Sequence, residues 1–98
     1  MSQMNLSIII PCFNEEGSIN SLLNELYEHF GDVQNYEVIL VDDGSHVRLE
    51  EAIESSLKEE QLIILRNDFN KGQTQSIKSG LNHSRGKVIG LLDGDGQN

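Results

Sequence analysis

Four short apolar runs, separated by amphipathic segments, limit what this 98-residue chain can fold into. The runs lie at 6–10, 36–41, 62–65 and 87–92, and their β-branched residues are typical of strands buried on both faces of a parallel sheet. Apolar residues between the runs recur at intervals of three and four positions, which predicts helices. This alternation predicts an α/β fold in which helices cover both faces of a four-stranded parallel sheet.

The boundaries of the helices follow from capping residues. The first helix is predicted to be capped by Asn14, with glutamates in its first turn, and to end at Gly31. The second is predicted to be capped by Ser45 and to continue to Leu57, because its apolar residues recur every four positions. A third, weakly amphipathic helix is predicted after the Lys-Gly pair at 71–72.

The charge balance excludes some classes of partner. Seven Lys and Arg against 16 Asp and Glu give a net charge of −9, which disfavours binding to nucleic acid or to anionic lipid through a basic patch. Cys12 is the single cysteine, so no internal disulfide forms. The chain lacks a basic signal region and a run of about 20 apolar residues. We expect a cytoplasmic location, with contact to the cytoplasmic face of a membrane only through regions outside these residues.

Acidic residues are concentrated just after the predicted strands, where open α/β sheets bind ligands. Asp42 and Asp43 follow the second strand, and Asp93 and Asp95 follow the fourth on either side of a glycine. Two carboxylates so spaced could share one hard cation, Mg²⁺ or Mn²⁺, which would bridge this acidic protein to a diphosphate. An ordinary Asp-Gly turn is the alternative for this segment.

The ends of the first and second strands carry residues that suit a nucleotide. Phe13 offers an aromatic face, Glu15 offers an acceptor for a ribose hydroxyl, and Asp42 or Asp43 could accept a hydrogen bond from a nucleobase N–H. Turn formation, helix capping and a strand end at Pro11 are the structural alternatives for these positions.

Four motifs follow one another in the chain: Ile-Ile-Pro-x-Phe-Asn-Glu-Glu at 9–16, Val-Asp-Asp-Gly-Ser at 41–45, Asn-Lys-Gly-x-x-x-Ser at 70–76 and Leu-Asp-Gly-Asp-x-Gln at 92–97. In this order they resemble the inverting family 2 glycosyltransferases with the GT-A fold. The resemblance covers residues 5–98 and implies the strand order 3-2-1-4. It also implies that residues 1–98 are the N-terminal, nucleotide-sugar-binding part of a domain that is incomplete at its C-terminus.

The resemblance also implies roles for individual residues. Asp93 and Asp95 would hold the metal ion, with Asp95 as the direct ligand. Lys71 matches a frequently basic position, although a solvated lysine at a helix start is the alternative. The implied donor-nucleotide contacts are Pro11, Phe13, Glu15, Val41, one or both of Asp42 and Asp43, Lys71, Asp93, Gly94 and Gln97.

Within that family, Gln97 resembles the branch that glycosylates polyprenyl phosphates, such as the dolichyl-phosphate mannosyltransferases. Gly94 and Gly96 depart from the Ala and Leu that are frequent in this branch. The implied reaction transfers a sugar from a UDP- or GDP-sugar, with inversion, to a polyprenyl phosphate or a saccharide. Any general base is expected beyond Asn98, so residues 1–98 alone are expected to bind the donor at most and not to catalyse transfer. Association into a homo-oligomer is a further expectation.

Two other classes of protein fit the same α/β pattern. One is a non-catalytic nucleotide-binding module. The other is a receiver-like signalling module, which also places acidic residues and a metal at strand ends. A receiver would need an aspartate at the end of the third strand, where this chain has Arg66 and Asn67.

Overall fold

The sheet contains four parallel strands, and the computed structural model describes residues 4–93 of the chain. The strands are β1 (Leu6–Cys12), β2 (Tyr36–Asp43), β3 (Leu62–Asn67) and β4 (Val88–Leu91). They lie in the order β3-β2-β1-β4, and every neighbouring pair is parallel. The predicted α/β class and strand order are therefore confirmed.

Three helices cover the two faces of this sheet. They are α1 (Ile19–His29), α2 (Leu49–Ala52) and α3 (Gln73–His83), and a single 3₁₀ turn, Ser55–Leu57, follows α2. Side chains alternate along β1 and β2, so Ile8 and Val38 pack with α1 and α2, whereas Ile9 contacts Gly80 of α3 on the other face. The prediction of helices on both faces is confirmed.

The predicted start of the first helix is wrong. Helix α1 begins at Ile19 after Ser18, about one turn later than a cap at Asn14 requires. Asn14 instead has a left-handed backbone, with φ of 54°. Its side-chain oxygen accepts a hydrogen bond from the amide of His46, so it binds a different loop rather than the first turn of α1.

The single second helix predicted from Ser45 to Leu57 is also wrong. Helix α2 has only four residues, because Ile53 is extended and breaks it from the following 3₁₀ turn. The side chain of Asn20 in α1 binds both sides of this break. Its Nδ2 donates to the Ala52 carbonyl, and its Oδ1 accepts from the Glu54 backbone amide. Leu49, Ile53 and Leu57 are nevertheless all buried against the core.

Strands β1, β2 and β3 each extend two residues further than the sequence indicated. Pro11 does not close β1, because it stays in parallel register with Val41 of β2. Strand β3 continues past the predicted end to Asn67. Because of these extensions, Asp42 and Asp43 are the last two residues of β2, and they pair with Arg66 and Asn67 of β3.

A buried polar network fixes the start of β4 at the opposite end of the sheet. The carboxylate of Glu37 accepts hydrogen bonds from the Ser7 hydroxyl at 2.6 Å and from the Arg85 amide at 2.7 Å, and its other oxygen lies 3.2 Å from the Arg85 guanidinium. The Gly86 amide donates to the Ser7 hydroxyl at 2.7 Å. The chain is thereby attached to β1 and β2 just before β4 begins.

None of the helices within residues 4–93 has the length and apolar character that a membrane crossing requires.

Candidate functional site

A cleft of about 300 Å³ opens at the carboxyl ends of β1, β2 and β4. This edge is where the parallel strands end and where the sequence concentrates its acidic residues. Its lining residues come from the last residues of β1 and β2, from the segments that follow β1, β3 and β4, and from the first turn of α3. They are Pro11, Cys12, Phe13, Glu15, Asp43, Asn70, Gly72, Gln73, Ser76 and Asp93.

Asp43 forms the inner wall of the cleft and holds the loop before α3. Its carboxylate accepts hydrogen bonds from the side chains of Asn67 and Asn70 at 2.8 and 3.0 Å, and from the amides of Lys71 and Gly72 at 2.8 and 2.9 Å. Burial alone would raise the pKa of Asp43, but these donors outweigh it and lower the pKa. The group is therefore a charged carboxylate at neutral pH.

A glycine permits the same loop to pack closely against the turn after β2. Gly44 has a φ of 74°, which side chains other than glycine rarely adopt. A Cβ at this position would lie 2.6 Å from backbone atoms of Phe69 and Asn70. The glycine of the Asp-Asp-Gly-Ser motif thus brings the turn and the loop before α3 into contact beside the cleft.

Asp42 points to the opposite face of the sheet and does not line the cleft. Its oxygens accept hydrogen bonds from the amides of Ser45 and Leu49, both at 3.0 Å, and from the guanidinium of Arg66 at 2.6 Å. Burial would raise the pKa of Asp42, but the bonds to Ser45, Leu49 and Arg66 lower it overall. Because successive strand residues face opposite sides, the two adjacent aspartates organise different loops.

Two other predicted contacts also lie outside the cleft. Val41 is fully buried between the sheet and α3, in a core that it shares with Ile9 and Ile39. The ammonium of Lys71 lies 5.2 Å from the centre of the exposed Phe69 ring, although the Lys71 amide binds Asp43. The structure therefore brings neither of these side chains, nor that of Asp42, to the cleft.

The loop after β1 places an aromatic ring and a carboxylate at the entrance of the cleft. Phe13 is 42% exposed, and its ring centre lies 6.5 Å from that of His46. Glu15 follows two residues later on the same wall. Both residues were predicted from the sequence, and the cleft contains both.

Cys12 lies in the cleft wall but is not suited to act as a nucleophile. It is buried, and burial together with the charges of Glu15 and Asp42 raises its pKa to about 12. The thiol is therefore protonated at neutral pH, and a thiol is a much weaker nucleophile than a thiolate.

Sequence reasoning missed the contribution of α3 and the loop before it. Asn70, Gly72, Gln73 and Ser76 all line the cleft. Asn70, Gly72 and Ser76 belong to the third motif, from which only Lys71 was chosen because of its charge. The position of this loop in the sequence could have identified these residues, since the loop follows β3 and lies at the same edge of the sheet as the other motifs.

The predicted metal site is only partly within the described residues. Asp93 lines the cleft, where a carboxylate is a suitable ligand for Mg²⁺ or Mn²⁺. Gly94, Asp95 and Gln97 lie outside residues 4–93, so their predicted roles stay predictions. Within that described range, no three or more His, Cys, Asp or Glu side chains cluster as a metal site would require.

The fold and the cleft together define an open parallel α/β protein with a candidate ligand site at the carboxyl edge of its sheet. The sequence model of one family, Glycosyl transferase family 2, matches residues 7–98. The chain therefore belongs to this family, as its motifs indicated. A receiver-like signalling module is of a different family, and that alternative is not retained.

Curated relatives of the chain act on polyprenyl phosphates, according to their names. The undecaprenyl-phosphate 4-deoxy-4-formamido-L-arabinose transferase of Aeromonas hydrophila is 38% identical over 96 residues, which cover 95% of this chain and 29% of the relative. The dolichyl-phosphate beta-glucosyltransferase ALG5A of Trichomonas vaginalis is 31% identical over 98 residues, covering 93% of this chain and 30% of the relative. The chain thus spans less than a third of the length of these relatives.

A solved structure with the same fold contains a nucleotide. Staphylococcus aureus TarS in complex with UDP superposes with a TM-score of 0.82 at 27% identity, over 94% of this chain and 28% of the TarS chain. The similarity covers the sheet and the helices on both of its faces. It identifies the fold as that of the GT-A glycosyltransferases.

Proposed function

We propose that the cleft binds the nucleotide of a nucleoside-diphosphate sugar and that the protein transfers the sugar to an acceptor. One observation carries this proposal: in a family 2 chain, five residues predicted to contact the donor converge on one cleft at the carboxyl edge of the sheet. These residues are Pro11, Phe13, Glu15, Asp43 and Asp93. The UDP bound by TarS, which shares this fold, supports the same assignment.

The walls of the cleft suit the parts of a nucleotide. The exposed ring of Phe13 offers a face on which a base can stack, and the carboxylate of Glu15 can accept a hydrogen bond from a ribose hydroxyl. Asn70 and Gln73 add amide side chains to the lining of the cleft, and these can donate to or accept from a base. We assign the diphosphate to the part of the cleft lined by Asp93.

The diphosphate needs a cation in this acidic chain. We propose that Asp93 and Asp95 hold Mg²⁺ or Mn²⁺, with Gly94 and Gln97 beside the phosphates. When bound, the ion would neutralise charge on the departing diphosphate. The carboxylate of Asp93 is already at the cleft, and the net charge of −9 makes direct binding of an anion unfavourable without such an ion.

The names of the relatives support a polyprenyl phosphate as the acceptor. A phosphate oxygen would attack the anomeric carbon from the side opposite the leaving group, forming the new C–O bond as the bond to the nucleoside diphosphate breaks. This displacement inverts the anomeric carbon. The nucleophile is already anionic, so the step needs no general base among residues 1–98. A saccharide hydroxyl, the other acceptor considered, would need a base.

The test of donor binding is calorimetric titration of UDP and GDP into the protein, with and without Mn²⁺. We expect one nucleotide to bind in a metal-dependent manner and Asp95→Ala to abolish the metal dependence. Asp32→Ala is the matched control, because Asp32 is an exposed aspartate in the turn after α1, outside the cleft. If the folded wild-type protein binds neither nucleotide, or if Asp32→Ala removes binding as Asp95→Ala does, the proposed function is wrong.

A further inference from the structure

Asn14 lies between two residues of the cleft wall, Phe13 and Glu15, but is not itself part of that wall. Its two polar contacts go to the turn after β2. The backbone amide of Asn14 donates to the Ser45 hydroxyl at 2.9 Å. The side-chain oxygen of Asn14 accepts from the backbone amide of His46 at 2.9 Å. We call this reciprocal pair of bonds the Asn14 clasp. It joins segments that are 31 and 32 residues apart in the chain.

The backbone at this position also restricts which residue can occupy it. A φ of 54° lies in the left-handed region, which asparagine and aspartate adopt more readily than other residues with a side chain. An asparagine therefore serves here twice, by adopting the left-handed turn and by supplying the oxygen of the clasp.

The far side of the clasp is itself held by Asp42. Ser45 is buried, its amide donates to the Asp42 carboxylate at 3.0 Å, and its carbonyl accepts from the Arg66 guanidinium at 3.2 Å. A fixed turn is thus available for Asn14 to bind. The contacts run from Asp42 through Ser45 to Asn14 and so to the loop that carries Phe13 and Glu15.

We propose that Asn14 is a positioning residue, which acts through Phe13 and Glu15 to set the nucleotide-binding wall of the cleft. This inference rests on the proposed function, since it assigns a role in the same site. It also gives Asp42 a role without contact to the donor: Asp42 supports the clasp through Ser45. The bonds of Asp42 to Ser45, Leu49 and Arg66 fit this supporting role.

The test separates positioning from ordinary loop stability by comparing two asparagines. Asn14→Gly keeps the left-handed turn without strain but removes the oxygen that His46 binds. Asn14→Asp keeps both the left-handed turn and an oxygen that can accept from the His46 amide. Asn20→Ala is the matched control, because Asn20 also joins two segments through a donor and an acceptor bond but lies away from the cleft.

Affinity for the nucleotide is the first measurement, by calorimetry with UDP and GDP in the presence of Mn²⁺. We expect Asn14→Gly to weaken binding about threefold to tenfold, the effect of losing one ordinary hydrogen bond. Asn14→Asp should stay within about threefold of wild type, and Asn20→Ala should leave affinity unchanged while lowering the midpoint of urea unfolding. Wild-type affinity in Asn14→Gly, or equal weakening in Asn20→Ala, would overturn the proposal.

A second measurement does not depend on any nucleotide. The protein contains three phenylalanines, and replacing them with 4-fluorophenylalanine gives ¹⁹F resonances, of which Phe13 is assigned by its loss in Phe13→Tyr. We expect Asn14→Gly to shift or broaden the Phe13 resonance and Asn20→Ala to leave it in place. An unchanged Phe13 resonance in Asn14→Gly refutes the positioning role. If wild type binds no nucleotide, the proposed function fails, while this comparison still decides whether Asn14 orients Phe13.

Discussion

At the scale of single residues, the two adjacent aspartates after β2 have different tasks. Asp43 faces α3 and collects four hydrogen-bond donors, two of them backbone amides of the loop that lines the cleft. Asp42 faces α2 and binds Ser45, Leu49 and Arg66. Both carboxylates have a structural role. Backbone amides lose their hydrogen bonds to water when they are buried, and each carboxylate supplies acceptors that replace those bonds.

Because four donors surround the Asp43 carboxylate, we predict that removing its charge destabilises the fold. The Asp43→Asn substitution turns one carboxylate oxygen into an NH₂ group, which faces the surrounding donors instead of accepting from them. We expect a loss of about 1–3 kcal/mol in the free energy of unfolding, measured by urea denaturation.

Asp68→Asn is the control for this substitution, because Asp68 is exposed in the loop after β3. A surface change of this kind should alter the free energy of unfolding by no more than about 0.5 kcal/mol. Equal stability of the Asp43→Asn and Asp68→Asn variants would contradict the structural role of the Asp43 carboxylate.

At the scale of secondary-structure elements, the position of β4 matters most for the site, since Asp93 follows this strand. Strand β4 is only four residues long and pairs with β1 from Val88 to Leu91. The Glu37 network fixes the chain immediately before it, through Ser7, Arg85 and the close approach of Gly86. A shift of one residue in β4 would reverse the face of every side chain in the strand.

Gly86 gives a sharp prediction about this attachment. A Cβ on Gly86 would lie 2.5 Å from the Ser7 amide nitrogen and 2.6 Å from a backbone carbon of Leu6. These contacts are with backbone atoms, so Gly86→Ala forces β1 and β4 apart, and we expect a loss of about 1–3 kcal/mol in unfolding free energy. Hydrogen exchange should also be faster at the amides of Val88 and Leu92, which bond to Asn5 and Ile9.

Gly17→Ala provides the matched control on the other side of the molecule. A Cβ at Gly17 meets nothing within 4 Å, and its backbone does not have the positive φ found at Gly44 and Gly72. This substitution should be neutral or slightly stabilising. If Gly86→Ala behaves like Gly17→Ala, the close approach at the start of β4 has no energetic consequence.

At the scale of the whole molecule, three buried carboxylates link stability to pH. Burial tends to raise the pKa of Glu37, Asp42 and Asp43, but their hydrogen bonds lower it for all three, with Arg85 among the donors to Glu37 and Arg66 among those to Asp42. A carboxyl whose pKa is lower in the folded state stabilises the fold above its unfolded pKa, which is about 4. That stabilisation is lost as the pH falls through the lower, folded value.

We therefore expect the free energy of unfolding to be steady near neutral pH and to fall between about pH 5 and pH 3, by urea titration at each pH. The Glu37→Gln variant should be less stable at neutral pH and lose less on acidification, because one of the three groups no longer titrates. A free energy of unfolding that stays constant or rises over the same acid range would contradict the lowered pKa values.

The sequence alone determined the order and type of the elements and the edge at which the site lies. Strand runs and helical spacing depend on neighbouring residues, so they can be read locally. The carboxyl ends of parallel strands meet at one edge, so the convergence of Phe13, Glu15, Asp43 and Asp93 could be predicted from their positions after strands. The resemblance to the family added the strand order.

Only the tertiary structure decided which of these residues reach the cleft and what each one binds. Asp43 and Gly72 are 29 residues apart, and Asn14 and Ser45 are 31 apart, so no local pattern specifies these bonds. Long-range contacts also accompany the two errors in the predicted helices: Asn14 binds His46 where α1 was expected to start, and Asn20 binds Ala52 and Glu54 where the second helix is divided at Ile53. A polar side chain such as that of Asn14 can cap a helix, occupy a turn or bind a distant backbone amide. Which of these it does depends on the partner that the folded chain places beside it.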